Sequence, residues 1–307
     1  MTETAIKPVA AVIGLGSMGL GMATSLIRAG MAVQGCDVVP ASVARLVEAG
    51  GTAAATPTDA AKGADIVVSV VVNAAQTEAV LFGVAGAAET MAPGSVFISS
   101  ATMDPNIARR LAARLEATGR LYLDAPISGG AAKAAAGQLT ILASGSSAAF
   151  AKARPALDAM ASTLYELGDA AGVGAAFKMI NQLLAGVHIA AACEAITFAA
   201  RQGLDLRQVY DVITASAGNS WMFENRVPHV LDGNYSPRSA VDIFVKDLGI
   251  IQDMARGAKY PVPVAAAALQ MFLAASGSGL GRQDDSAVAR VYAQLAGVTL
   301  PDATTAD

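Results

Sequence analysis

VAAVIGLGSMGLGMATSLIRAGMAVQGCD, residues 9–37, decides the fold. VAAVI is a continuous apolar run, the pattern of a strand buried on both faces. The turn Gly14-Leu15-Gly16-Ser17-Met18-Gly19 follows, then a helical stretch to Arg28 that Gly30 ends as a C-cap glycine does. A second strand, 32–36, leads to Asp37. Strand, glycine turn, helix, strand and acid together predict a dinucleotide-binding unit. Gly14 permits the tight turn, Gly16 admits a pyrophosphate to the backbone, and Gly19 lets helix and strand pack closely. The helix N-terminus then takes the phosphate charge. Residues 14–19 are therefore candidate cofactor contacts. Asp37 lies 18 residues after Gly19, where a carboxylate accepts from a ribose 2′-hydroxyl and repels a 2′-phosphate. No arginine follows until Arg45, so the expected cofactor is NAD and not NADP. The plain alternative is a glycine turn kept for packing.

The pattern continues outward. Residues 65–72 form a strand ending at Asn73, and 95–100 a strand ending at Ala101-Thr102. In an open parallel sheet ligands bind beyond the carboxyl ends of the strands, so Asn73 and Thr102 are cofactor candidates. Each could equally cap the helix that follows. Residues 121–125 form another strand, followed by Pro126-Ile127-Ser128-Gly129-Gly130, an Ala-rich helix and the strand 139–144. Ser128, Gly129 and Gly130 open that helix with exposed backbone N–H groups, suited to a substrate carboxylate. The alternative is an N-cap serine with turn glycines. A helix over 147–161 and a strand over 163–167 complete this half.

GAAFKMINQLLAGVHIAAACEAITFAARQGL, residues 174–204, predicts a long helix that is apolar on most faces and so buried, against which both domains pack. Lys178, Asn181 and Gln182 share one face at its start. Beyond it only helices are expected, over 205–216, 219–230, 238–257, 262–276 and 284–296. The expected architecture is thus α/β: a Rossmann-type domain at 1–170 and an all-helical substrate and dimerisation domain at 171–307, which includes the central helix 174–203. Asn219 sits in a polar turn beside Trp221, the only tryptophan, which lines a pocket or joins the core. Lys246 stands in an apolar helix, and pairing with Asp242 at i, i+4 is its simplest role. His188 and His229 have no partner at ligand spacing and read as structural. Hydride loss from a carbinol carbon also requires loss of the hydroxyl proton. A partly desolvated lysine such as Lys178 suits that task, because burial disfavours its charged form.

Of 307 residues, 54% are apolar and only 15% charged, which predicts two cores and an oligomer that covers some surface. A net charge of −4 argues against nucleic acid or an anionic membrane as partner. Two cysteines without metal spacing, and no signal peptide pattern, fit a reducing, cytoplasmic location. The apolar run 183–200 carries His188 and Glu194, which fits a buried soluble helix and not a membrane span. No metal, thiol–histidine or G-x-S-x-G signature is present.

Four motifs in order carry a resemblance: GLGSMG at 14–19, DAPISGG at 124–130 with GQLTILASG at 137–145, GAAFKMINQ at 174–182, and FVKDLG at 244–249. Over nearly its whole length the chain resembles the β-hydroxyacid dehydrogenase family, which includes 3-hydroxyisobutyrate and 6-phosphogluconate dehydrogenases. The resemblance implies Lys178 as catalytic acid/base and Ser128-Gly129-Gly130 on the substrate carboxylate. It also implies Thr102 on the cofactor, and Lys246 near both cofactor and substrate. Relatives usually carry asparagine four residues after the lysine; here Gln182 stands there, preceded by Asn181. Asn181, Gln182 and Asn219 are the expected readers of further substrate hydroxyls. Residues 178–195 and 218–233 most resemble the branch that oxidises L-threonate at C2 to 2-oxo-tetronate. The alternatives are oxidation of 3-hydroxyisobutyrate, reduction of tartronate or succinic semialdehyde, and a non-catalytic dinucleotide sensor. The expected assembly is a homodimer or homotetramer.

Overall fold

The computed structural model describes residues 8–302. The chain forms two compact units that part inside one helix, the first running to Lys178 and the second starting at Met179. The sequence places the boundary earlier, at 170/171, where strands stop. The helix nevertheless gives its first turns to the first unit, because side chains there hold its N-terminus.

The first unit alternates strands and helices: β1 (Val9–Ile13), α1 (Gly19–Arg28), β2 (Ala32–Cys36), α2 (Pro40–Glu48), β3 (Thr52–Ala53), α3 (Pro57–Ala61), β4 (Ile66–Ser69), α4 (Ala74–Phe82), β5 (Val96–Ser99), α5 (Pro105–Glu116) and β6 (Leu121–Asp124). These six strands make a parallel sheet in the order β3-β2-β1-β4-β5-β6. The order reverses between β1 and β4, the place where such sheets bind ligands. Successive side chains alternate between two cores. Ala10, Val12, Val68 and Ile98 pack with Met22 and Leu26 of α1, whereas Ala11, Ile13, Val67 and Phe97 pack with Leu81 of α4 and Leu111 of α5.

After β6 come β7 (Ile127–Ser128), α6 (Gly130–Ala136), β8 (Leu139–Ala143), α7 (Ser147–Met160) and β9 (Ala161–Glu166). Residues 126–130 read as a turn in the sequence. In the structure Ile127 and Ser128 instead pair antiparallel with Ile141 and Thr140, in a separate sheet β7-β8-β9. A backbone bridge between Asp124 and Ser144 links the end of β6 to the end of β8.

The helix α8 (Val173–Arg201) is followed by α9 (Leu206–Thr214), α10 (Trp221–Leu231), α11 (Val241–Gly257), α12 (Pro263–Ala275) and α13 (Val288–Ala296). The second core gathers Ile189, Cys193 and Ile196 of α8 with Phe223, Phe244, Leu248, Phe272 and Val288. Gly186 lets the helices approach closely there, since a Cβ would lie 3.0 Å from Leu248 and Phe244. His229 is not alone: its Nδ1 lies 2.9 Å from Asp284, and Arg226 makes a two-point contact with Asp285 at 2.6 and 3.1 Å. Both carboxylates are fully buried. The hydrogen bonds from His229, Ser286 and the Arg238 amide outweigh burial and hold Asp284 far below the usual carboxylate range.

The expectation of an all-round buried α8 is corrected. Met179, Ile189 and Ile196 are buried, but Phe177 is 52%, Ile180 62%, Leu184 49% and Phe198 64% exposed. These residues form one stripe at helical spacing. Cys36 at the end of β2 and Cys193 in α8 are both buried and free. Burial pushes the Cys36 thiol up to about 11 and Cys193 higher still.

Candidate active site

The first group of site residues surrounds the β1–α1 turn. Gly14 has φ +93°, and a Cβ on it would lie 2.5 Å from the Val70 carbonyl oxygen. Gly16 faces open space, with nothing within 4 Å of where its Cβ would stand. Met18 holds the N-cap position of α1, and no side chain caps the helix. By contrast Asn73 caps α4, Asp104 caps α5 and Ser146 caps α7. Asp37 is anchored to the turn itself: Oδ2 accepts from the Leu15 amide at 2.5 Å and Oδ1 from the Val39 amide at 2.8 Å. An open glycine, an uncapped helix start and an anchored carboxylate with lone pairs to spare fit a dinucleotide. The Leu15 side chain lies in the core, so Leu15 faces the turn through its backbone, and Met18 packs partly against that core. Ser17 is exposed. Asn73 performs the capping role through the Gln76 amide at 2.9 Å. Thr102 does not cap α5, because Asp104 accepts from the Asn106 amide at 2.6 Å.

The second group lies where α8 begins. Lys178 is buried, and its Nζ donates to the Ile127 carbonyl at 2.9 Å. That bond puts the amine beside Ser128, the residue that precedes the glycine opening of α6. Gly129 and Gly130 take φ +134° and +77°, and no side chain caps α6. The first N–H groups of α8 are held from two strand ends. Asp124 Oδ2 accepts from the amides of Gly172 at 2.9 Å and Ala175 at 2.8 Å, and Ser144 Oγ accepts from the Gly174 amide at 2.9 Å. Burial raises the Asp124 pKa to about 6 against the pull of these donors and of Arg109.

In the second unit Asn181 Nδ2 donates to Gln182 Oε1 at 2.9 Å, and Gln182 Nε2 donates to Asp247 Oδ2 at 2.5 Å. Lys246 Nζ lies 2.7 Å from Asp247 Oδ1. Asp242, the partner suggested by spacing, accepts instead from Ser276 at 2.6 Å. Asn219 braces α9 to α10, donating to the Thr214 carbonyl at 3.2 Å and to Glu224 at 2.5 Å. Trp221 starts α10 and is exposed, not core. Among the described residues no cluster of His, Cys, Asp or Glu could hold a metal ion. Asp124, Ser144 and the His229–Asp284 pair escape a reading of sequence alone, since their partners lie 30 to 55 residues away. An acid closing an apolar strand was the one available sign of Asp124.

A doubly wound parallel sheet with this turn, followed by a long helix whose first turns carry a buried lysine, defines a nicotinamide-dependent dehydrogenase. Residues 9–168 match the NAD-binding domain of 6-phosphogluconate dehydrogenase, and residues 172–292 match the NAD-binding domain of NADP-dependent 3-hydroxyisobutyrate dehydrogenase. L-threonate dehydrogenase of Cupriavidus necator is 54% identical over 94% of this chain and 97% of its own. The Escherichia coli K12 enzyme of that name is 49% identical over 95% of this chain and 96% of its own. The crystal structure of 3-hydroxyisobutyrate dehydrogenase from Salmonella typhimurium superposes with a TM-score of 0.88 at 51% identity, covering 93% of this chain and all of that one. The chain belongs to the β-hydroxyacid dehydrogenase family and is an NAD-dependent dehydrogenase acting on a CH–OH group.

Proposed function

We propose that the protein oxidises L-threonate at C2 to 2-oxo-tetronate, with Lys178 as general acid/base. The observation that carries the mechanism is the Lys178–Ile127 hydrogen bond at 2.9 Å. It ties the amine to the segment that leads into Ser128-Gly129-Gly130. The Ser128 hydroxyl and the amides at Gly129 and Gly130 receive the substrate carboxylate. Lys178 enters neutral. One N–H stays on the Ile127 carbonyl, and Nζ accepts the proton of the substrate hydroxyl. When bound, NAD⁺ supplies the hydride acceptor. Gly14, Gly16, Gly19 and the amides of Leu15, Ser17 and Met18 form its phosphate turn, and Asp37 accepts from its adenosine ribose. Asn73, Thr102 and Lys246 are further contacts to the cofactor. Asn181, Gln182, Asn219 and Lys246 serve the remaining substrate groups. Identity of about 50% to relatives named L-threonate dehydrogenase supports this substrate.

The test is initial rates with NAD⁺ on L- and D-threonate, D- and L-erythronate, D-glycerate, 3-hydroxyisobutyrate and 4-hydroxybutyrate. L-Threonate should give the highest kcat/KM. A second reading rests on the Salmonella structure, whose name is 3-hydroxyisobutyrate dehydrogenase. Preference for that acid keeps the mechanism and replaces the substrate.

The enzyme acts in the cytoplasm as a homodimer or homotetramer. Support for self-association comes from α8. Phe177, Leu184, Ala191 and Phe198 recur every seven residues on its exposed side, the spacing at which one helix packs against a copy of itself. Leu184→Lys should lower the mass measured by light scattering; an unchanged mass sinks this interface.

A further inference from the structure

The start of α8 is held by groups that lie far from it in sequence. Its first turn would ordinarily leave backbone N–H groups without partners, or a residue just before the helix would cap them. Here the acceptors come from strand ends. Asp124 closes β6 and uses a single oxygen for both Gly172 and Ala175. Ser144 follows β8 and takes Gly174. The two capping residues are themselves locked, because the Asp124 amide donates to the Ser144 carbonyl at 3.0 Å and the Ser144 amide to the Asp124 carbonyl at 2.8 Å. Gly174 admits this approach: a Cβ on it would overlap the Leu142 carbonyl oxygen and lie 3.0 Å from that of Asp124. Asp124 also begins the segment that delivers Ile127 and Ser128. The helix that carries Lys178 and the carbonyl that receives its Nζ are therefore fastened to one another at residue 124.

We infer that Asp124 and Ser144 are positioning residues, a cap built from two strand ends that sets the place of Lys178 relative to Ile127 and Ser128. This rests on the proposed role of Lys178. Both side chains are fully buried and act through the first turn of α8. A misplacement of about 1 Å at a catalytic group costs on the order of 10²-fold in rate, so a looser helix start lowers kcat without weakening the phosphate turn, which belongs to other elements.

The experiment compares Asp124→Asn, Asp124→Ala, Ser144→Ala and Lys178→Ala. The Asn oxygen can still accept from both Gly172 and Ala175, so Asp124→Asn should stay within about threefold of wild-type kcat. Asp124→Ala should lose roughly tenfold or more in kcat with NAD⁺ affinity unchanged. Ser144→Ala, which removes one bond, should lose less and serves if Asp124→Ala does not fold. Hydrogen exchange of the peptide covering 172–180 should speed up in both Ala variants and not in Asp124→Asn; this readout does not depend on turnover. Wild-type kcat in both Ala variants overturns the inference, as does a loss of kcat matched by equal loss of NAD⁺ affinity. If Lys178→Ala keeps full turnover, the assigned role of the lysine fails instead, while the exchange data still judge the cap.

Discussion

Two helices begin in the first unit beside functional residues, and they treat their first N–H groups in opposite ways. α1 starts on a glycine turn with no capping side chain. α8 starts with acceptors from Asp124 and Ser144 already in place. A helix start that is to bind an anion must stay open, because its partial positive charge and its free amides are the binding groups. A helix that mounts a catalytic side chain gains from being closed, because its place in the fold is what counts. The same backbone geometry is thus a ligand site at one position and a fixture at the other.

The largest test of this contrast is Lys178→Ala, which removes what the closed helix carries. It should lower kcat by about 10² or more and leave NAD⁺ affinity unchanged; steady-state rates and NAD⁺ titration check both. Next comes an attempt to close the open helix. Ser17→Asp puts a carboxylate at the exposed turn before α1. NAD⁺ should bind roughly tenfold more weakly while thermal stability holds, since an acid at a helix N-terminus favours the helix by about 0.3–1 kcal/mol. Asp37→Ala should narrow the preference for NAD⁺ over NADP⁺ by a similar factor, measured as a ratio of kcat/KM values, because the group that repels a 2′-phosphate is gone.

The smallest effect is a pH dependence at the closed helix. Asp124 keeps its proton up to about pH 6, against an ordinary value of 3.8. The folded form therefore binds that proton more tightly than the unfolded chain does. The resulting stability is present in full below pH 3.8 and is lost as pH rises to about 6. Asp124→Asn has nothing to titrate and should remove this part of the slope, read as melting temperature between pH 4 and 7. An unchanged slope would show that Asp124 ionises as an ordinary carboxylate.

Much of the first unit was legible because its signals are local. Continuous apolar runs mark strands buried on both faces, and the spacing Gly14, Gly16, Gly19 with Asp37 marks the cofactor turn. β7 was not legible, since a two-residue strand makes sense only against Ile141 and Thr140. The partners of Asp124, Gln182 and His229 lie 51, 65 and 55 residues away, beyond the reach of any periodicity. For α8 composition misled. Apolar residues on every face pointed to burial all round, yet Phe177, Ile180, Leu184 and Phe198 stay exposed within one chain. A stripe that one chain leaves exposed is written in the same residue types as a core.

The two buried thiols have a practical consequence. Cys36 lies in the first unit and Cys193 in the second, and each is held far from its reactive thiolate form at neutral pH. A maleimide therefore reaches either one only when its surroundings open. The native chain carries one built-in reporter for each unit, so the rates at which the two cysteines are alkylated measure the separate opening of the two halves, with no engineered label.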